Sequence, residues 1–146
     1  MIIIAHRGLL EGPDSDLENR PETILKTLNI GFHCEIDIWY INDKWWLGHD
    51  NPTYNIDYEF LRTPNLWIHC KNLEALDKLL STDLEYFWHE EDTVTLTSSN
   101  FIWTYPGKPL ISKKSIAVMP EKCDYEPIEL ENIFGICTDY PFKYSL

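Results

Sequence analysis

The stretch His33-Cys34-Glu35-Ile36-Asp37-Ile38-Trp39-Tyr40-Ile41-Asn42-Asp43-Lys44-Trp45-Trp46-Leu47-Gly48-His49-Asp50 decides how this chain folds. Side chains alternate along a strand, so Glu35 and Asp37 share one face over 33–41 while Ile36 and Ile38 take the other. Asn42-Asp43 is a two-residue turn into Lys44-Trp45-Trp46-Leu47, which makes the segment a hairpin. That loop length sets Ile36 opposite His49 and Asp37 opposite Gly48, and so returns His49 beside the two carboxylates. On alternation alone the pair reads as a solvated strand face. The return of His49 shifts the balance toward a hard, oxygen-rich site for Mg²⁺ or Ca²⁺. Trp45 and Trp46 fall on opposite faces, so at most one lines such a site and the other covers the outside.

Upstream, Ile2-Ile3-Ile4-Ala5 is a short β-branched run that predicts a buried strand ending in His6-Arg7-Gly8. Residues 11–20 form a polar loop. Pro21 then opens a helix with Ile24, Leu25 and Leu28 on one face, closed by Gly31. Downstream, Leu66-Trp67-Ile68-His69-Cys70-Lys71 predicts a third strand. Asn72 caps the following helix, whose Leu73, Leu76, Leu79 and Leu80 fall at helical spacing. The second half changes character. Glu85–Glu90, Thr93–Thr97, Phe101–Tyr105, Ser115–Met119 and Phe134–Thr138 are short strand candidates, with one helical turn near 126–133. The order is β-α-β-β-α and then almost all β. Two architectures fit it: an α+β sandwich, or a compact, reduced (β/α) barrel that has lost most outer helices of its C-terminal half. A full (β/α)8 barrel needs about 250 residues, more than the 146 present.

Composition sets outer limits. The length suits one domain spanning 1–146, and 44% hydrophobic residues with six Trp and eight Tyr provide a core. A net charge of −12 argues against a general nucleic-acid or anionic-membrane surface. An anionic ligand therefore needs a local pocket of Arg, Lys or metal. No run is long enough to span a membrane, and the opening residues carry no basic or long apolar leader. The four cysteines, at 34, 70, 123 and 137, form no CxxC pair. A reduced, cytoplasmic protein is the expectation.

His6 and Arg7 end the first strand, where α/β folds build their sites, and the planar fork of Arg suits phosphate oxygens. His69 and Lys71 share a face on strand three, beside Glu35 and Asp37 in chain order. His89-Glu90-Glu91-Asp92 is expected to be a solvated strand end from which one member could reach the site. Trp67, Trp88 and Trp103 are expected in the core.

Together, His6-Arg7-Gly8, Pro21-Glu22-Thr23, Glu35-Ile36-Asp37, Gly48-His49-Asp50, Lys71 and Gly135-Ile136-Cys137-Thr138-Asp139-Tyr140-Pro141 resemble the glycerophosphodiester phosphodiesterase family. That family belongs to the phospholipase-C-like phosphodiesterases, which adopt a (β/α)8 barrel. The likeness is dense over 1–73 and sparse in the middle of the second half. It implies that His6 and His49 are the paired general acid and base, that Arg7 and Lys71 hold phosphate, and that Glu35 and Asp37 bind a divalent metal ion (Mg, Ca or Mn). It also implies a small-molecule phosphodiester substrate, a hydroxyl of which attacks phosphorus to give a cyclic intermediate that water opens. The family's third acidic metal ligand is replaced here by His69, which suits Mn²⁺ or Zn²⁺ better than Mg²⁺; Glu90 or Asp92 is the alternative. The asparagine usual before Thr23 is missing. A non-catalytic phosphoester- or metal-binding module, and a lyase releasing the cyclic phosphate, are the competing functions. The poorly covered strands of a reduced barrel lead to the further expectation of a homodimer.

Overall fold

A computed structural model describes residues 1–145. Ten strands join in one mixed sheet. They are β1 (Ile2–Ala5), β2 (His33–Ile41), β3 (Lys44–Leu47), β4 (Tyr54–Ile56), β5 (Leu66–Cys70), β6 (Tyr86–Phe87), β7 (Val94–Leu96), β8 (Ile102–Thr104), β9 (Ser115–Val118) and β10 (Gly135–Thr138). The helices are short: α1 (Pro21–Ile30), α2 (Tyr58–Leu61), α3 (Leu73–Leu79), α4 (Pro127–Glu131) and α5 (Pro141–Tyr144). Neighbours run parallel in the order β6, β5, β2, β1, β10, β9, β8. The β3–β4 ribbon and β7 add antiparallel edges.

The sheet curls into a half-barrel because its two faces bury different things. Inner-face Ile4, Trp67, Phe87, Trp103, Ile116 and Cys137, drawn from six strands, meet in one cluster. The Trp67 and Trp103 rings lie 6.1 Å apart, and Phe87 lies 4.5 Å from Trp103. Outer-face Cys34, Ile36, Ile38, Ile68 and Cys70 pack instead on Ile24 of α1 and on Ala75 and Leu79 of α3. Glu35, Asp37 and His69 point inward with the first set. β6 and β7 share no strand ladder. Ser98, in the turn after β7, joins them: its N–H donates to the Tyr86 carbonyl and its hydroxyl accepts from the Tyr86 N–H. The result is a mixed α/β fold with few helices.

The expected hairpin is present in the expected register. Asn42 and Asp43 both take positive φ, 51° and 59°, as this turn requires. Ile38 pairs with Leu47, and the Gly48 N–H donates to the Asp37 carbonyl at 3.1 Å. Helix α1 runs from Pro21 to a left-handed Gly31, and Asn72 caps α3 through the Ala75 N–H while also bonding both backbone groups of Tyr40. Two helix faces differ from expectation. α1 buries Ile24 and Thr27, with Leu25 exposed, because the Thr27 hydroxyl donates to the Gly8 carbonyl at 2.7 Å. α3 buries Ala75 and Leu79 and leaves Leu73 and Leu80 outside. The two hairpin tryptophans take opposite faces, Trp45 on the outer one and Trp46 opposite Trp39 on the other. Trp45 is buried on Tyr40 and Tyr58, and Trp46 lies with Ile41 and Pro52. β4 and α2 had no counterpart in the sequence reading. Among the described residues, no helix is long and apolar enough to cross a membrane.

Candidate active site

Parallel strands that end together deliver their next residues to one rim. Ala5 pairs with Cys34 on one side and Thr138 on the other. One step beyond, His6 therefore stands between Glu35 and Asp139. Its Nδ1 lies 2.8 Å from Asp139 Oδ1, and its Nε2 lies 3.9 Å from Glu35 Oε2. A buried carboxylate on Nδ1 holds that nitrogen as the N–H, which leaves Nε2 facing the acidic pair as the atom that can take a proton. Asp139 is itself anchored, its N–H donating to Glu121 at 3.1 Å.

Arg7 occupies a left-handed backbone conformation, φ 53°. There its N–H donates to Glu35 Oε2 at 3.0 Å, its Nε lies 3.5 Å from Asp37 Oδ2, and its Nη1 donates to Glu18 at 2.7 Å. Gly8 must follow without a side chain. Its φ is +78°, and a Cβ would press on Ile24.

Asp37 pairs in register with His69 on β5. His69 Nδ1 lies 3.1 Å from Asp37 Oδ1 and 3.7 Å from Glu35 Oε1. The 3.1 Å approach lacks hydrogen-bond alignment, so Asp37 Oδ1 is buried with no hydrogen-bond partner. His69 Nε2 donates to the His89 carbonyl at 2.9 Å. In the neutral ring that bond makes Nδ1 a lone pair aimed at two carboxylates, which is repulsive. The arrangement is satisfied by an imidazolium, or by a cation that all three residues share. Glu35, Asp37 and His69 each offer a ligand atom, these lying within 4.8 Å of one another. A partnerless carboxylate oxygen, a second carboxylate and a ring nitrogen whose far side is fixed by a carbonyl are a fitting set for a divalent ion. His69 is the third residue of this cluster. Glu90 and Asp92 do not join it: Asp92 sits by His89 and both are exposed.

The charges are interlocked. Burial pushes the His69 ring down, but Asp37 and Glu35 outweigh it and raise the ring to about 9. Burial pushes Asp37 up, but His69, Arg7 and Asn19 hold its carboxyl well below its ordinary range. The signs then follow for the metal-free protein. His69, raised from 6.5, contributes stability that is full below 6.5 and lost as pH climbs through about 9. Asp37, depressed from 3.8, contributes stability present above 3.8 and lost as pH falls. A metal must displace the His69 proton, so its affinity should rise with pH up to about 9. Calorimetric Mn²⁺ titrations at pH 6.5 and 8.5, in buffers of different ionisation heat, should show tighter binding and less proton release at the higher pH. Equal affinity at both would remove His69 from the ligand set.

The β2–β3 ladder ends at Ile38–Leu47, so the expected pairing of Ile36 with His49 does not form, and the side-chain partner of His49 is Asp50 rather than Glu35, Asp37 or His6. The His49 Nδ1 bonds Asp50 at 2.8 Å, and the ring borders a small pocket with Glu18, the partner of Arg7. Lys71 follows β5, donates its N–H to the Ile38 carbonyl at 2.8 Å, and lies close enough to His89 to depress that ring, after burial and the His69 charge. The sequence reading missed two parts. Asn19, fully buried in the polar loop, donates to Asp37 Oδ2 at 2.8 Å and accepts from the Asp37 N–H at 2.9 Å. Asp139, at the exit of the last strand, is the other. Compared with known proteins, the chain matches no protein family, no curated protein and no solved structure.

Proposed function

We propose that the protein is a metal-assisted phosphodiesterase of small glycerophosphodiesters, built on a (β/α) barrel trimmed to its strands. The observation that supports this most is the meeting, at one rim, of a carboxylate-oriented His6 with the Glu35–Asp37–His69 set and the Arg7 guanidinium. A divalent ion held by those three residues would neutralise charge on the phosphoryl oxygens. Arg7 and Lys71 would supply the cations that hold the phosphate. His6 Nε2, its ring held by Asp139, takes the proton of the attacking glycerol hydroxyl. His49, held by Asp50 through Nδ1, supplies the leaving oxygen with its proton.

Purified protein should turn over glycerophosphocholine, glycerophosphoethanolamine or a chromogenic phosphodiester with Mg²⁺, Ca²⁺ or Mn²⁺, and chelator should abolish the rate. No turnover with any of the three ions ends this reading. One feature favours a second reading. A protonated His69 satisfies both carboxylates without metal, which suits a non-catalytic phosphoester-binding module. Calorimetric binding of glycerol phosphate in chelator, with no hydrolysis of the diesters, would select it.

A further inference from the structure

The far half of the barrel is short of an outer layer. Among the described residues, β6, β7, β8 and β9 follow one another with no helix between them, so these strands bring no helix to cover their outer faces. We propose that the bare wall of β7 and β8 docks a second copy of the chain, the two barrels lying side by side and antiparallel about a twofold axis. The inference is independent of the reaction proposed above.

The wall is apolar over one contiguous patch. Trp103 of β8 turns into the inner cluster, so Ile102 and Thr104 on either side of it face outward. The register sets Leu96 opposite Ile102 and Val94 opposite Thr104, on that same outer face. Leu96 is 62% exposed and Val94 36%. The connection to β9 adds another aliphatic group. Its Leu110 packs on the cluster of Ala117 and Ile136, while the adjacent Ile111 is 70% exposed. Ile111 stays near Ile102, because the Ser112 N–H donates to the Ser115 hydroxyl and Ser115 pairs with Ile102. Gathered on one uncovered face, these side chains differ from leucines exposed singly elsewhere.

Charge decides the occupant. From Thr93 to Met119 the chain has three Lys and no Asp or Glu, in a protein of net charge −12. Two such molecules repel over most of their surface and meet at least cost on an acid-free face. The two ends of the wall differ in sign. Away from the rim, the Ile102 N–H donates to the Lys114 carbonyl, which puts exposed Lys113 and Lys114 at that end. Toward the rim, the Tyr105 N–H donates to the Thr93 carbonyl, and exposed Glu90, Glu91 and Asp92 lie just before it. The ends stand roughly 10 Å apart along β8. A second copy turned end for end sets each lysine pair on its neighbour's acidic end and each aliphatic patch on the other. That is the self-complementarity a twofold interface requires. An anionic lipid surface fits the wall less well, because the acidic end repels it.

The test is mass in solution by sedimentation velocity, from micromolar to submillimolar protein. A species of twice the 17.3 kDa chain mass is expected as concentration rises. Leu96→Glu and Ile111→Glu, both at exposed positions, should keep the fold by circular dichroism and raise the dimer Kd at least about tenfold, since the twofold axis counts each change twice. Lys113→Glu with Lys114→Glu should separate the copies, and so should Glu90→Lys with Glu91→Lys. Mixed in equal amounts, those two charge variants should pair with each other, because each then meets the opposite sign at both ends. A wild type that stays at one chain mass, a dimer unmoved by both glutamate substitutions, or charge variants that fail to pair on mixing overturns the proposal. A monomer that binds phosphatidylserine vesicles overturns it equally and assigns the wall to a lipid surface.

Discussion

Replacing His6 with Ala is expected to lower kcat on a glycerophosphodiester by about 10²–10⁴-fold, the range for losing a positioned acid–base group. KM should change little, since Arg7 and Lys71 remain. In the proposed mechanism the ring would work through Nε2, because Nδ1 is committed to Asp139 at 2.8 Å. Asp139→Asn should therefore also cost activity, by freeing the other tautomer while leaving the ring in place. Imidazole in the medium should restore part of the rate to His6→Ala and none to Asp139→Asn. A His6→Ala enzyme within threefold of wild type would remove His6 from the mechanism and with it the meaning given to its bond with Asp139.

The largest expected loss of stability belongs to Asp37. Its side chain is buried at 1% exposure between Asn19, Arg7 and His69. Asp37→Ala takes the nearest carboxylate from both the His69 ring and the Arg7 Nε, leaving His69 only Glu35 at 3.7 Å and Arg7 only Glu18 at its far end. Breaking a buried pair in this way costs about 3–5 kcal/mol, which for a domain of this size lowers Tm by roughly 10 °C. The measurement is thermal unfolding in chelator at pH 7, so that bound metal does not enter. Asp50→Ala, whose carboxylate is 82% exposed, should stay within about 1 kcal/mol of wild type under the same conditions. If the two variants melt together, the acidic pair is not the anchor of the rim.

The parts of the site that the sequence made legible are those that follow from strand alternation and loop length. Asn42-Asp43 dictated the hairpin register, alternation put Glu35 with Asp37, and the parallel neighbour put His69 beside them. The parts that stayed hidden act across long separations or through the main chain. Asp139 is 133 residues from His6, and no local pattern links them. Asn19 sits among ordinary loop residues, and only its left-handed φ of 56° and full burial set it apart. The group that orients His69 is the carbonyl of His89, a contact any residue type could make. The helix faces misled for a different reason. Leucines are easy to count, but α3 approaches the strands closely enough that Ala75 takes the central place and Leu73 is pushed to solvent. In the fold, β4 and α2 went unseen because Tyr54–Leu61 mixes apolar and charged residues without a clean period.

Because Ser98 and the hydroxyl of Thr95, which donates to the Trp88 carbonyl at 2.9 Å, stand in for a full ladder between β6 and β7, the circumference has a zip fastener with few teeth. Thermal breathing will be concentrated at that point, and amide protons around Tyr86 and Ser98 should exchange long before those of β2 or β5. His89, after β6, and Tyr105, after β8, face one another across that junction with ring centroids 5.7 Å apart, so loosening it loosens the backbone that holds His69.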